Sequence, residues 1–348
     1  MIKNDLILKA AKRQPTERTP IWIMRQAGRY LPEYRAVRAK ADFLTLCKTP
    51  ELASEVTIQP VDIIGVDAAI IFSDILVVPE AMGMELVVEE GKSGPQFPSP
   101  IRTSSDIDKL AIPDPSEKLK YVMDALSLSR KNLADPVPLI GFSGAPWTLA
   151  TYMVEGKGKE NFKIIKDLIT NRPKDAHKLL EKLTKSVTNY LSAQIEAGAQ
   201  VLQIFDTWGG TLTPDRYLKF SLDPMFNIVS TMRRESAPVI VFSKGANHAL
   251  REIGQIGADV IGIDWTIDMA EARALTEDRV ALQGNLDPSF LYASPEAIRN
   301  EVRTILRSYG NGPGHIFNLG HGILPDVPVE HARALVRAVK EESPVFHQ

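Results

Sequence analysis

Eight short apolar runs punctuate the chain: Ile21–Met24, Ala68–Phe72, Val137–Phe142, Val201–Phe205, Val239–Phe242, Val260–Ile263, Val280–Leu282 and His315–Leu319. Each is rich in Ile, Val, Leu or Phe without strict alternation, the pattern of strands covered on both faces of a parallel sheet. Between them, stretches such as Lys178–Ala197, Asp215–Ser236, Ala270–Glu277 and Pro295–Tyr309 repeat apolar residues at helical spacing with charges between. The order is β then α throughout. It predicts an α/β fold, a (β/α)8 TIM barrel with strands inside and helices outside. A doubly wound sheet fits less well, because it would show fewer strands and a G-x-G-x-x-G turn after the first, which is absent here.

Strands five to eight follow at intervals that hold one connection and one helix, whereas long intervals separate strands two, three and four, so the first half carries the insertions. One of these, Met84–Ser99, alternates Glu-Leu-Val-Val-Glu-Glu and turns through Gly91, Gly94 and Pro95, which predicts a hairpin or lid. No internal repeat, low-complexity tract or flexible linker interrupts the chain, and residues 1–348 are expected to form a single barrel domain.

Composition narrows the function classes. With 44% apolar and 24% charged residues the chain reads as an ordinary water-soluble protein, and barrels of this size commonly form one domain. Lys+Arg number 41 against Asp+Glu 43, so no global basic field invites nucleic acid, and any anionic ligand must be met by a local cluster. The single cysteine, Cys47, excludes an intrachain disulfide and any zinc site of two or more thiolates, and agrees with a reducing compartment. Met1 to Pro20 has no apolar run of signal-peptide length, and no uncharged stretch approaches the ~18 residues of a membrane span. The chain reads as complete and cytoplasmic, with no membrane partner.

In such a barrel the reacting groups sit just past the carboxyl ends of the strands. The densest signal there is Arg25, Arg29, Arg35 and Arg38 with Gln26, Ala27 and Gly28. Guanidinium forks suit carboxylates and phosphates, so this cluster points to a polyanionic small ligand; the alternative is a solvated face with local ion pairs, Glu33 being an obvious partner. Asp74 closes the second run and is either an acceptor for ligand N–H groups or a helix cap. His321 stands between Gly320 and Gly322, where the backbone can approach a ligand closely; it could equally tie the loop to neighbouring backbone. The six histidines are scattered without H-E-x-x-H or H-x-H, which argues against a zinc site, and Ser143 lacks a G-x-S-x-G context. Cys47, in Cys-Lys-Thr-Pro, reads as a helix terminus rather than a nucleophile.

Two stretches are more specific: 20–35, Pro-Ile-Trp-Ile-Met-Arg-Gln-Ala-Gly-Arg-Tyr-Leu-Pro-Glu-Tyr-Arg, and 141–156, Gly-Phe-Ser-Gly-Ala-Pro-Trp-Thr-Leu-Ala-Thr-Tyr-Met-Val-Glu-Gly. Both closely resemble signature segments of the uroporphyrinogen decarboxylase family. Phe-Ser-Asp-Ile-Leu at 72–76, Ile-Phe-Asp-Thr-Trp at 204–208 and Asn-Leu-Gly-His-Gly at 318–322 resemble further blocks of that family in the expected order. The resemblance implies that Arg25 and Arg29, with Gln26, Ala27 and Gly28 between them, meet substrate carboxylates. It implies that Asp74 sits at the centre of a cyclic tetrapyrrole and accepts from its pyrrole N–H groups. Tyr152, Thr207 and His321, with Arg38, match further substrate-binding positions, and some relatives carry Ser where Thr207 stands. A homodimer with facing clefts and no metal or organic cofactor are also implied.

The implied reaction converts the four acetates of uroporphyrinogen III, and also of isomer I, to methyl groups, giving coproporphyrinogen. Protonating the pyrrole ring creates an iminium-like electron sink, so the substrate does what a cofactor does elsewhere. An ionised Asp74 would stabilise the developing cation, and the arginines would offset the repulsion among eight carboxylates. Arg25, His321 and a bound water are the candidate proton donors, and Tyr152 could position Asp74 or donate to a carboxylate. Two other readings compete. A non-catalytic carrier of anionic tetrapyrroles would need the arginines but no central carboxylate. A zinc- or corrinoid-dependent methyltransferase on the same barrel would need His and Cys ligands, and only Cys47 is present.

Overall fold

The computed structural model describes residues 2–88, 94–134, 136–158 and 161–348. Among them, seven parallel strands form one sheet in chain order: β1 (Ala69–Ile70), β2 (Leu139–Gly144), β3 (Val201–Asp206), β4 (Val239–Ser243), β5 (Val260–Gly262), β6 (Ala281–Leu286) and β7 (His315–Leu319). Every residue of β2, β4, β6 and β7 is buried, as uninterrupted apolar runs require. The sheet curls strongly. Gln203 on β3 and Gln283 on β6, with two strands between them, meet side chain to side chain at 3.3 Å. Trp22 enters the same interior and donates its indole N–H to Gln283 Oε1 at 2.8 Å.

The first expected strand, Ile21–Met24, does not form as a strand. It makes a single parallel bridge, Ile21 to Phe317. Phe317 N–H donates to Pro20 O at 2.8 Å, and Trp22 N–H to Phe317 O at 3.3 Å. Beyond that, side chains capture the backbone: Ile23 N–H goes to Gln26 Oε1 at 3.1 Å and Met24 N–H to Asn318 Oδ1 at 2.9 Å. On the other side Asp67 N–H donates to Ile21 O at 2.7 Å, just ahead of β1. Segment 20–24 therefore lies between β7 and β1, but bonds to them only in part through its backbone.

Among the helices are α1 (Pro32–Arg38), α2 (Pro50–Ile64), α3 (Lys120–Leu133), α4 (Pro146–Glu155), α5 (Pro173–Glu196), α6 (Asp223–Thr231), α7 (Met269–Leu275), α8 (Pro295–Tyr309) and α9 (Val329–Glu342). Their starts follow local chemistry. Ser294, for example, caps α8 by accepting from Ala297 N–H at 3.3 Å, with Pro295 at the first helical position. The helix expected over 215–236 is helical from Pro214 to Thr231 but passes through a π-turn at Leu218–Leu222, which carries Ser221 onto Asp206. The insertions lie where expected, α3 and several short helices between β1 and β2, and α4 and α5 between β2 and β3. Val87 and Gln96 pair antiparallel, forming the base of the hairpin expected at 84–99; residues 89–93, which include Gly91, lie outside the described residues. No helix is long and apolar enough to cross a membrane among the described residues.

Candidate active site

The cleft is built from the segments that leave the carboxyl ends of the strands. Phe72 N–H is taken by Thr57 Oγ1 of α2 at 2.9 Å, which ends β1 and turns Ser73 and Asp74 out of the sheet. Asp74 Oδ1 then accepts from Leu76 N–H at 2.7 Å, while Oδ2 has no hydrogen-bond partner among the described residues. The carboxylate thus stabilises a turn with one oxygen and leaves the other uncommitted. Burial raises its proton affinity above that of an ordinary carboxylate, and Arg25 pulls it back down.

Arg25 adopts a left-handed backbone, φ +62°, that non-glycine residues rarely occupy. Its side chain crosses the loop after β7, where a Cβ on Gly322 would sit 2.3 Å from Arg25 Cδ. From there its charge acts on Asp74, Tyr152 and His321, three groups far apart in sequence. Arg25 and Arg29 are exposed, and among the described residues neither forms an ion pair, nor does Glu33. The ion-paired face considered as an alternative is therefore not formed at these two arginines. Arg35 is committed elsewhere, donating to Arg29 O at 2.6 Å and Tyr30 O at 3.2 Å.

The remaining expected residues divide by placement. Tyr152 on α4 is half-buried, which raises the proton affinity of its phenol, and its ring stands 6.4 Å from that of Trp208 between centroids. Thr207 follows β3 and is half-exposed, next to Asp206, whose buried carboxylate accepts from Ser221, Ser243 and Thr148 hydroxyls at 2.7, 2.8 and 2.9 Å. His321 is half-buried, with its ring 6.5 Å from Phe242. Burial, then Arg25 and Lys244, push its imidazole down to about 3, so it is neutral at physiological pH. Gln26 is fully buried: its side chain accepts from Ile23 N–H at 3.1 Å and donates to Ala68 O at 2.9 Å, which leaves it holding the arginine segment in place. Ala27 and Gly28 are half-exposed, and a Cβ on Gly28 would stand 2.9 Å from Arg25 O. Arg38 is turned toward Ala41 O, Tyr34 and Asp42.

Asp206 and Asp264, although they end β3 and follow β5, are tied inside the protein. Asp264 accepts from Gly245 N–H at 2.6 Å and from Thr266 N–H at 2.9 Å. Lys244, a single basic residue after β4, was not singled out by any sequence cluster, yet it belongs to the group of charges around His321. Cys47 lies near the end of the helix Phe43–Lys48, buried, with its thiol pushed up mainly by burial. Among the described residues no three His, Cys, Asp or Glu side chains gather as a metal ion would require.

Comparison with known proteins finds relatives over the whole chain. A family described as "Uroporphyrinogen decarboxylase (URO-D)" matches residues 2–342. A protein of Chloroherpeton thalassium named uroporphyrinogen decarboxylase is 58% identical, covering 100% of both chains. One of the same name from Saccharophagus degradans is 56% identical, covering 100% of this chain and 99% of that one. Among solved structures, a methyltransferase from Methanosarcina mazei superposes with a TM-score of 0.82 at 20% identity, over 98% of this chain and 99% of that one; at this identity the likeness is one of fold. With an α/β sheet that opens its strand ends onto Arg25, Asp74 and His321, and full-length identities of this size, the chain belongs to the uroporphyrinogen decarboxylase family.

Proposed function

We propose that this chain is an enzyme that decarboxylates the four acetate side chains of uroporphyrinogen III to methyl groups, giving coproporphyrinogen III and four carbon dioxide in tetrapyrrole biosynthesis. The observation that carries this reading is the convergence of Arg25, Asp74, Tyr152 and His321 on one rim, together with full-length identity to proteins named for the activity. Isomer I is a further expected substrate.

The chemistry follows from the groups present. A proton added to the ring α-carbon beside the acetate-bearing carbon places positive charge on the pyrrole. The bond to the carboxylate then breaks, its electron pair neutralises the ring and forms an exocyclic double bond, and carbon dioxide leaves. Protonation of the exocyclic carbon gives the methyl group, and loss of the added ring proton restores aromaticity, so one proton is consumed per carbon dioxide. Asp74, with one carboxylate oxygen uncommitted, accepts from pyrrole N–H groups and stabilises the cation as it forms in a poorly solvated cleft. Arg25 and Arg29 take substrate carboxylates, with Tyr152 and Thr207 donating further hydrogen bonds. His321, held neutral, can offer an N–H or a lone pair but carries little acid at neutral pH, so proton delivery falls to Arg25 or to water it orders.

The same proposal includes one domain over 1–348, ring closure by segment 20–24 into an eight-stranded barrel, a homodimer with facing clefts, and action in the cytoplasm without metal or organic cofactor. Ring closure is supported by the backbone hydrogen bonds that the segment makes on both sides, and the dimer by the family resemblance. Anaerobic incubation of metal-stripped protein with uroporphyrinogen III tests the function, with products oxidised to porphyrins and weighed. Stepwise seven-, six-, five- and four-carboxyl products are expected. Binding without carboxyl loss would favour the carrier reading instead.

A further inference from the structure

Gly320, His321 and Gly322 lie between the Arg25 side chain and Trp265. On one side Arg25 lies across Gly322, where a Cβ would be 2.3 Å from its Cδ. On the other, Trp265 lies against Gly320, where a Cβ would be 2.7 Å from Trp265 N and 2.8 Å from Cε3. Lys244 Nζ stands 5.6 Å from the centroid of that same Trp265 ring. Lys244 is half-buried, forms no ion pair among the described residues, and places its ammonium over the indole face. The neighbouring carboxylate Asp264 is already committed to Gly245 N–H and to Thr266. Its backbone is fixed on both sides: Lys244 N–H donates to Asp206 O at 3.1 Å, and Lys244 O accepts from Gly210 N–H at 2.9 Å.

A partly desolvated ammonium with no counter-ion is costly, and an incoming anion offsets that cost. The ligand of this cleft carries eight carboxylates around its perimeter, more than Arg25 and Arg29 alone can face from the arginine segment. We propose that Lys244, held against Trp265, is a further substrate-binding residue that receives a carboxylate of the tetrapyrrole on the side of His321 away from Arg25. The inference rests on the decarboxylase reading and adds a second, separate cationic subsite to it. Trp265, 38% exposed, is then a platform that limits where the ammonium can go.

The test compares wild type, Lys244→Met and Lys244→Arg in anaerobic turnover of uroporphyrinogen III, with His321 followed by NMR titration. Loss of one charge-assisted contact is expected to raise KM about tenfold or more in Lys244→Met while kcat stays within about threefold. The arginine variant is expected to return KM toward wild type. The His321 midpoint is expected to move up in Lys244→Met and to remain low in Lys244→Arg, which reports that the cation stands beside the imidazole whatever the kinetics do. A folded Lys244→Met protein with wild-type KM and a raised His321 midpoint overturns the inference and leaves the decarboxylase reading intact. A wild-type protein that releases no carbon dioxide overturns both.

Discussion

The side chain of Arg25 rests on the α-carbon of Gly322, close enough that a methyl group there would stand 2.3, 2.7 and 2.8 Å from Cδ, Cγ and Nε. The absence of a side chain at 322 is thus what lets a residue near the amino terminus lie across the loop after β7. Gly322→Ala is expected to fold, because its nearest neighbour is a flexible side chain at an open rim, and to displace the guanidinium by more than an ångström. A loss in kcat/KM of about a hundredfold follows from misplacement on that scale. Steady-state turnover of uroporphyrinogen, with circular dichroism as a folding control, checks it.

Asp74→Asn keeps shape and removes charge. If the carboxylate stabilises the cationic intermediate, kcat falls by about a hundred- to a thousandfold while substrate still binds. Wild-type turnover in this variant would sink the mechanism. Stability moves the other way. In the folded protein Asp74 holds its proton to higher pH than the ordinary value of 3.8, so the native state binds more protons across that window and stability falls as pH rises through it. The asparagine variant is expected to be more stable than wild type at pH 7, with the difference fading below the unfolded-chain value, as thermal melts across pH will reveal.

His321 gives the opposite dependence. Its imidazole is pushed from 6.5 down to about 3, so between these values the unfolded chain binds the extra proton, and stability drains away as pH falls from 6.5 toward 3. NMR is expected to find the ring neutral at pH 5, and the acid limb of kcat is expected not to follow a midpoint near 6.5. A ring that titrates near 6.5 would remove the argument against His321 as the acid.

Asp67 is fully buried and accepts from both terminal guanidinium nitrogens of Arg18 and from Asn4 at 2.7 Å, and from Ile21 N–H at 2.8 Å. Asp67→Ala strands the arginine and the backbone donor together. Urea unfolding is expected to report a loss of about 3–5 kcal/mol, the range for breaking one side of a buried pair.

Much of this was legible in the sequence, and what was not has physical reasons. Seven of the eight apolar runs are strands, since burial on both faces leaves an unbroken hydrophobic signature. The run Ile21–Met24 has the same signature because it too is buried, but three of its four N–H groups go to the Asp67, Gln26 and Asn318 side chains, and apolar periodicity carries no information about side-chain capture. The same blindness hides the internal commitment of Gln26, Asp206 and Asp264: a polar residue past a strand end looks alike whether it faces a ligand or its own loop. Arg25, Arg29, Asp74 and His321 stood out through clustering, a strand end or flanking glycines. Lys244 also follows a strand end, but as a single basic residue outside any cluster, and the approach of Trp265 to Gly320 is what reveals its surroundings.

The partnership between segment 20–24 and β7 also sets a timetable for the newly made protein. Met24 bonds to Asn318, 294 positions later, so the arginine segment leaves the ribosome long before the residues that fix its backbone exist. Closing so distant a contact is a late event in assembly. Until the carboxyl-terminal strand emerges, Arg25 has neither its Asn318-anchored turn nor Gly322 to rest on. A chain truncated before residue 315 is therefore an inert nascent form: most of its sheet can be present while its charged cleft has yet to come into being.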